Sequence, residues 1–265
     1  PLLPWPAAAE DDNVRVTYRI TSGNAMGITF FNNGMIGNNF NTRRPSFEYP
    51  LGSNIDHMPR GGFWIGGITV NGDTLVTTAT VDGYINSTST ISEMYPLPNT
   101  GIEERSVLPT SRYYHPAARS EQDFLFSSAD TAAALIDPSG EDPHRPMNVQ
   151  LDTETLLFGY EPFEATVFMN FRIINLSATD PIYDLRAGLY TELASGWKDP
   201  AASNWTSGWW KRKVLTWVDS LRLVTEHHHT YADGRAPTWA GAMFLGSRPQ
   251  PDSATLSMNW WNWDP

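Results

Sequence analysis

Strict two-residue alternation constrains this chain more than any other feature. Residues 13–21 read Asn-Val-Arg-Val-Thr-Tyr-Arg-Ile-Thr, with Val14, Val16, Tyr18 and Ile20 apolar and polar residues between them. Successive side chains of a strand point to opposite faces, so this run suits a strand with one apolar face and does not suit an amphipathic helix. Met26–Phe31 repeats the pattern and runs into the turn signal Asn32-Asn33-Gly34. The clearest hairpin is Gly66–Val70 and Thr74–Thr78 around Asn71-Gly72-Asp73, because Asn-Gly supplies the positive φ angles of a tight turn. Further strands are expected at 149–158, 164–175, 182–192, 214–219, 221–230, 238–245 and 253–261. The run 165–174 is apolar at most positions of both faces, as expected of a central strand in a sandwich. Helix is confined to one short candidate, Ser128–Ile136, with Ser127 or Ser128 as N-cap.

Twenty prolines and twenty glycines punctuate these runs. The expected fold is all-β, a β-sandwich or jelly-roll-like architecture with long Pro/Gly-rich loops and very little helix. Residues 13–265 read as a single composite domain. Residues 1–12 read as an extended Pro/Ala-rich arm or a signal-peptide remnant. Residues 96–148 carry seven prolines and weak periodicity, and read as an elaborated loop region.

Composition excludes several function classes. Charged residues are 18% of the chain and the net charge is −11, which does not suit binding to a phosphate backbone. The one basic knot, Lys211-Arg212-Lys213, reads as a positive turn. Without cysteine there is no disulfide, thiolate metal site or thiol catalysis. No apolar run approaches the length of a membrane span.

No motif names a reaction. Gly-x-Ser-x-Gly is missing, and Gly61-Gly62-x-x-x-Gly66-Gly67 lacks the lysine and helix of a phosphate loop. Those glycines are expected to let backbone pack closely around Phe63 and Trp64. Glu226-His227-His228-His229 resembles a metal cluster, but alternation sends His227 and His229 to one face and His228 to the other, so no metal site is assigned and an aromatic-like ladder beside Tyr231 is expected instead. Asp56-His57 and Asp142-Pro143-His144 sit in turn-rich contexts and read as turn chemistry. Glu103, Glu104, Glu161, Glu164, Glu192 and Glu226 offer carboxylates for glycan hydrolysis without a spacing that pairs them. The sequons at Asn86, Asn175 and Asn204 match chance frequency. No catalytic residue and no cofactor is assigned, and the chain reads as non-enzymatic.

Nine of eleven tryptophans fall in the last seventy residues. Trp217 and Trp239 lie on expected strands and read as core. Trp205, Trp209 and Trp210 lie in a Gly/Ser/Asn-rich loop, and are the sugar-stacking candidates under an alternative reading as a carbohydrate-binding module. Trp260, Trp261 and Trp263 point to a subunit contact, because large apolar surface left in water is unfavourable. A glycan-active enzyme is a third reading.

The block Phe47-Glu48-Tyr49-Pro50-Leu51-Gly52-Ser53, followed by Gly62-Phe63-Trp64-Ile65-Gly66-Gly67, resembles a group of secreted bacterial β-rich proteins that often carry a C-terminal sorting domain for type IX secretion. Ala187-Gly188-Leu189-Tyr190, Tyr231–Gly234 and Ala240–Gly246 are similar to that group's second half. The resemblance implies export to the cell surface and no enzyme activity. The sorting domain does not follow here, which implies a processed or partial product.

These readings converge on an extracellular subunit that binds copies of itself to build a fibre or surface layer. Sheet edges template another chain's strand. Strand 13–21 either donates to a neighbour or begins its own sheet. As a donor it would place Val14, Val16, Tyr18 and Ile20 in a neighbour's pockets, worth on the order of 6–12 kcal/mol gross. Trp5 would anchor an arm reaching about 40 Å.

Overall fold

The computed structural model describes residues 15–40, 42–80, 92–131, 144–203, 213–229, 236–248 and 255–260. The fold is all-β. Among the described residues its strands form four small antiparallel sheets, arranged as a propeller-like ring in place of the expected two-sheet sandwich or jelly roll. One sheet runs in the order β1 (Tyr18–Ile20), β2 (Gly27–Phe31), β3 (Phe47–Glu48), β4 (Ile55–Asp56) and β13 (Gly196–Trp197). A second joins β11 (Val167–Asn175), β10 (Val149–Leu157), β9 (Gln122–Asp130) and β7 (Tyr95–Pro96), with β8 (Glu103–Arg105) also paired to β9. A third is β12 (Tyr183–Thr191), β5 (Gly61–Ile68) and β6 (Thr74–Thr78). The fourth is β14 (Lys213–Val218), β15 (Leu223–His228) and β16 (Ala240–Met243).

The strand β10 is the spine of the body. It pairs in unbroken register with both neighbours, Val149 facing Asp130 and Asn175 and Leu157 facing Gln122 and Val167. Its alternation buries Val149, Leu151, Thr153, Thr155 and Leu157 on one face. Two apolar clusters form between this sheet and the segments that cover it. In the first, Met26, Ile28 and Phe30 meet Phe124 and Phe126, with the Phe30 and Phe124 rings edge to face at 6.3 Å. In the second, Ile65 meets Met94, Val149 and Leu151, while Phe63 stacks on Phe171 at 4.4 Å. Burying one such phenylalanine contributes about 2–3 kcal/mol before entropy is counted.

The glycines of β5 act as the sequence implies. A Cβ on Gly67 would lie 2.4 Å from the Ile182 Cγ2, and one on Gly62 would lie 2.9 Å from the Thr80 nitrogen. The hairpin also forms as expected, with Gly72 at φ 84°.

Several expectations change. Strand 13–21 shortens to β1, which pairs with β2 of its own chain (Tyr18 opposite Phe31, Ile20 opposite Thr29). The helix expected at Ser128–Ile136 does not begin at Ser128, because Ser128, Ala129 and Asp130 end β9, and its residues 132–136 lie outside the described ones. Phe124, Phe126, Ser128 and Asp130 follow one inward face there, and that tertiary burial overrides the local N-cap signal. The strands β8 and β9 therefore lie within the 96–148 stretch expected to be loop. Residues 255–260 form no strand, against the expectation for 253–261. No helix among the described residues is long and apolar enough to cross a membrane.

Candidate functional site

The densest polar chemistry lies where the C-terminal sheet meets the body. His57 follows β4, and Ser195 precedes β13. Glu226 lies on β15, Lys213 opens β14, and Thr238 sits just ahead of β16. His57, Ser195 and Glu226 are fully buried. Ser195 is clamped at three backbone and side-chain atoms. Its N–H donates to Glu226 Oε1 at 3.2 Å, its hydroxyl donates to Glu226 Oε2, and its carbonyl accepts from the Lys213 ammonium. Lys213 Nζ also lies 3.7 Å from Glu226 Oε1.

These contacts fix the imidazole tautomer. The Ser195 proton points at a carboxylate, so Ser195 Oγ accepts from His57 Nδ1–H at 2.7 Å. His57 Nε2 then accepts from the Thr238 hydroxyl at 3.0 Å. Burial drives the His57 pKa down to about 4, the Lys213 charge adds to that effect, and a hydrogen bond to the Tyr49 backbone opposes it. Burial likewise lowers Lys213 to about 8, against the pull of Glu226.

This order of residues holds a serine in place. In a nucleophilic triad the histidine stands between serine and carboxylate, whereas here the serine stands between the other two.

A second buried set adjoins the first. Lys198 Nζ lies 2.6 Å from Asp56 Oδ2 and 3.3 Å from Glu48 Oε2. Asp56 Oδ1 accepts from Ser46 N–H at 3.0 Å and from Phe47 N–H at 2.6 Å. Glu48 Oε1 accepts from Gly52 N–H at 2.6 Å and Asn54 N–H at 3.1 Å. The block Phe47–Ser53 thus forms a turn tied by Glu48 to Lys198. Burial outweighs the lysine at Asp56 and raises its pKa to about 6. Because the folded pKa is raised, this contribution to stability is full below about pH 3.8 and is lost as pH rises through about 6.

Away from this junction the C-terminal sheet ends in an apolar tip. Val218, Leu223 and Met243 pair at that end, beyond which lie the 3-10 turn Asp219–Leu221 and residues 244–245. Phe244 N–H donates to Arg222 O at 3.0 Å, which ties the two connections together. Leu221, Met243, Phe244 and Leu245 are all exposed, Leu245 at 69%. Along β14 five residue steps separate Lys213 at the junction from Val218 at the tip, roughly 17 Å.

The residues singled out from sequence are scattered by comparison. Val16 and Tyr18 are exposed, Ile20 is half-buried, and the Tyr18 ring lies 5.5 Å from its own Phe31. Trp260 is exposed, outside any strand. Trp5, Val14, Trp205, Trp209, Trp210, Trp261 and Trp263 lie outside the described residues. Trp239, expected in the core, is 56% exposed and stacks on His227 at 3.9 Å. The ladder expected beside Tyr231 falls on a residue outside the described ones. Trp217 is half-buried on β14.

Two pairs assigned to turn chemistry have larger roles. Asp56 and His57 anchor the two buried sets, and His144 lies between Asp130 Oδ1 at 2.7 Å and Glu93 Oε1 at 3.1 Å. No group of three metal-binding side chains is found among the described residues. Sequence reasoning missed Ser195, Lys198, Lys213 and Thr238 because nothing in their spacing links them to residues 56–57. The one available signal was Glu226, which alternation puts on the same face of β15 as His228. Comparison with protein-family models, curated proteins and solved structures finds no match for this chain.

Proposed function

We propose that this chain is an extracellular, non-enzymatic structural subunit that self-assembles into a fibre or surface layer. The observation that carries the reading is the apolar tip of the C-terminal sheet, formed by Leu221, Met243, Phe244 and Leu245. A cluster of large apolar side chains in water favours a partner. Among the described residues the outer strands β14 and β16 have no further strand beside them, which leaves their edges open to a partner. The resemblance of residues 47–53 and 62–67 to exported surface proteins supports the extracellular setting.

The pairing of β1 with β2 changes which contact is favoured. Donation of strand 13–21 would require a copy to open its own β1–β2 pairing first. Contact through the tip needs no such exchange. Tip against a different surface of the next copy is a heterologous contact, which propagates.

Light scattering and electron microscopy of the purified chain test this reading. Assemblies are expected for the native sequence, and monomers for Phe244→Asp combined with Leu245→Asp. Removal of residues 1–14, which spares β1, separates an arm contact from a tip contact. A native chain that stays monomeric at high concentration would overturn the proposal.

A further inference from the structure

Among the described residues, a chain of buried polar groups ties the C-terminal sheet to the body. Neither apolar cluster contains a residue of β14, β15 or β16. The buried contacts run from Thr238 to His57, from His57 to Ser195, and from Ser195 to Glu226 and Lys213. Three of these five side chains belong to the sheet and its approach, and two belong to the body. An attachment of this kind depends on the protonation of its members, which an apolar seam does not.

We propose that His57 makes the junction an acid-operated latch, holding the C-terminal sheet on the body at neutral pH and releasing it when the imidazole takes up a second proton. In the closed junction Nε2 is an acceptor for Thr238. A proton there turns the acceptor into a donor and places a positive charge in a buried site that already contains Lys213.

The groups around the ring determine the sign. Lys213 comes from β14, Glu226 from β15 behind Ser195, and Thr238 from the approach to β16. From β3 come the Phe47 ring, at 5.9 Å, and the hydrogen bond to the Tyr49 backbone just beyond it. Asp56 alternates to the opposite face of the strand, where Lys198 and Glu48 pair with it. Burial and Lys213 both disfavour the cation, and the closed-state value falls to about 4. Once the sheet is detached, His57 returns toward 6.5. The open state therefore binds the proton between pH 6.5 and 4 while the closed state does not, and attachment weakens as pH falls, by about tenfold per unit. Lys213 acts in the same sense at higher pH: its value is lowered to about 8 in the closed state, so attachment tightens as pH rises from there toward 10.5.

Hydrogen exchange of the full chain, read by mass spectrometry at pH 7 and pH 5 and corrected for intrinsic rates, tests the latch. Opening of peptides covering 213–228 and 240–243 should increase roughly twentyfold at pH 5, while peptides of β9 and β10 keep their protection. His57→Gln should remove most of that pH dependence, whatever its own baseline. If that variant does not fold, histidine 15N spectra of the native chain serve instead. They should show the His57 imidazole neutral at pH 5, taking up its proton only as the sheet loses protection. Protection of the sheet that is unchanged between the two pH values overturns the proposal, as does equal acid sensitivity in His57→Gln. Assembly is not read in this experiment, so failure of the latch and failure of the subunit reading remain distinguishable.

Discussion

The body and the C-terminal sheet are held by opposite kinds of chemistry. In the body, Phe30, Phe124, Ile65 and Leu151 close-pack between facing strands, and the hydrogen-bonded ladders follow from that packing. At the junction a half-buried lysine and a buried glutamate, histidine and serine are brought together, with geometry supplied by hydrogen bonds. Apolar contact is tolerant of direction and indifferent to pH, whereas a buried polar set is directional and fails when one member is lost. The difference teaches that one chain can contain a region stable as a whole and a region whose attachment is separately adjustable.

Three substitutions sharpen or break this contrast. Phe124→Ala should have the largest effect, about 3–5 kcal/mol off the denaturant stability of the whole body. A loss under 1 kcal/mol would show that the first cluster is not close-packed. Glu226→Gln should cost about 2–4 kcal/mol, because it leaves Lys213 and the Ser195 donors without their carboxylate. That cost should appear as faster hydrogen exchange in 213–228 and 240–243, with the global denaturant midpoint nearly unmoved. A fall in global stability as large as that of Phe124→Ala would mean the sheet and body form one cooperative unit. Glu103→Gln should change stability by less than about 0.5 kcal/mol, although Glu103 and Arg105 form a two-point pair at 2.7 and 2.8 Å. Arg105 holds the Glu103 carboxyl below its ordinary value, but the pair is largely in water. A larger loss, measured by thermal unfolding, would show that surface pairing matters here as much as the junction does.

Sequence order predicted what is local and missed what is assembled. The hairpin at Asn71-Gly72 was legible because turn and flanking alternation lie within thirteen residues. The strands β10, β11 and β12 were legible for the same reason. The strand β9 was not, because its inward face changes from Phe124 and Phe126 to Ser128 and Asp130. Asp130 is buried because His144 and Met147 N–H satisfy it, and no window around 130 contains that information. The junction is harder still. His57 and Thr238 are 181 residues apart, and only folding brings them to hydrogen-bond distance. Trp239 falls on the strand expected at 238–245 and reads as core there, yet it precedes β16 and lies exposed over His227.

The bend in β12 has a consequence for how copies of this chain could meet. Its pairing with β5 slips between Tyr183 and Arg186, and Asp184 adopts φ 47°. The strand is the outermost of its sheet, with residues 183–188 all exposed. A straight edge of that length would recruit strands indiscriminately, the route by which β proteins aggregate. A slipped register and a charged residue at the kink spoil the template. The protein thereby keeps this edge from seeding amyloid-like stacking, and a copy meeting the chain here would find no regular ladder to extend.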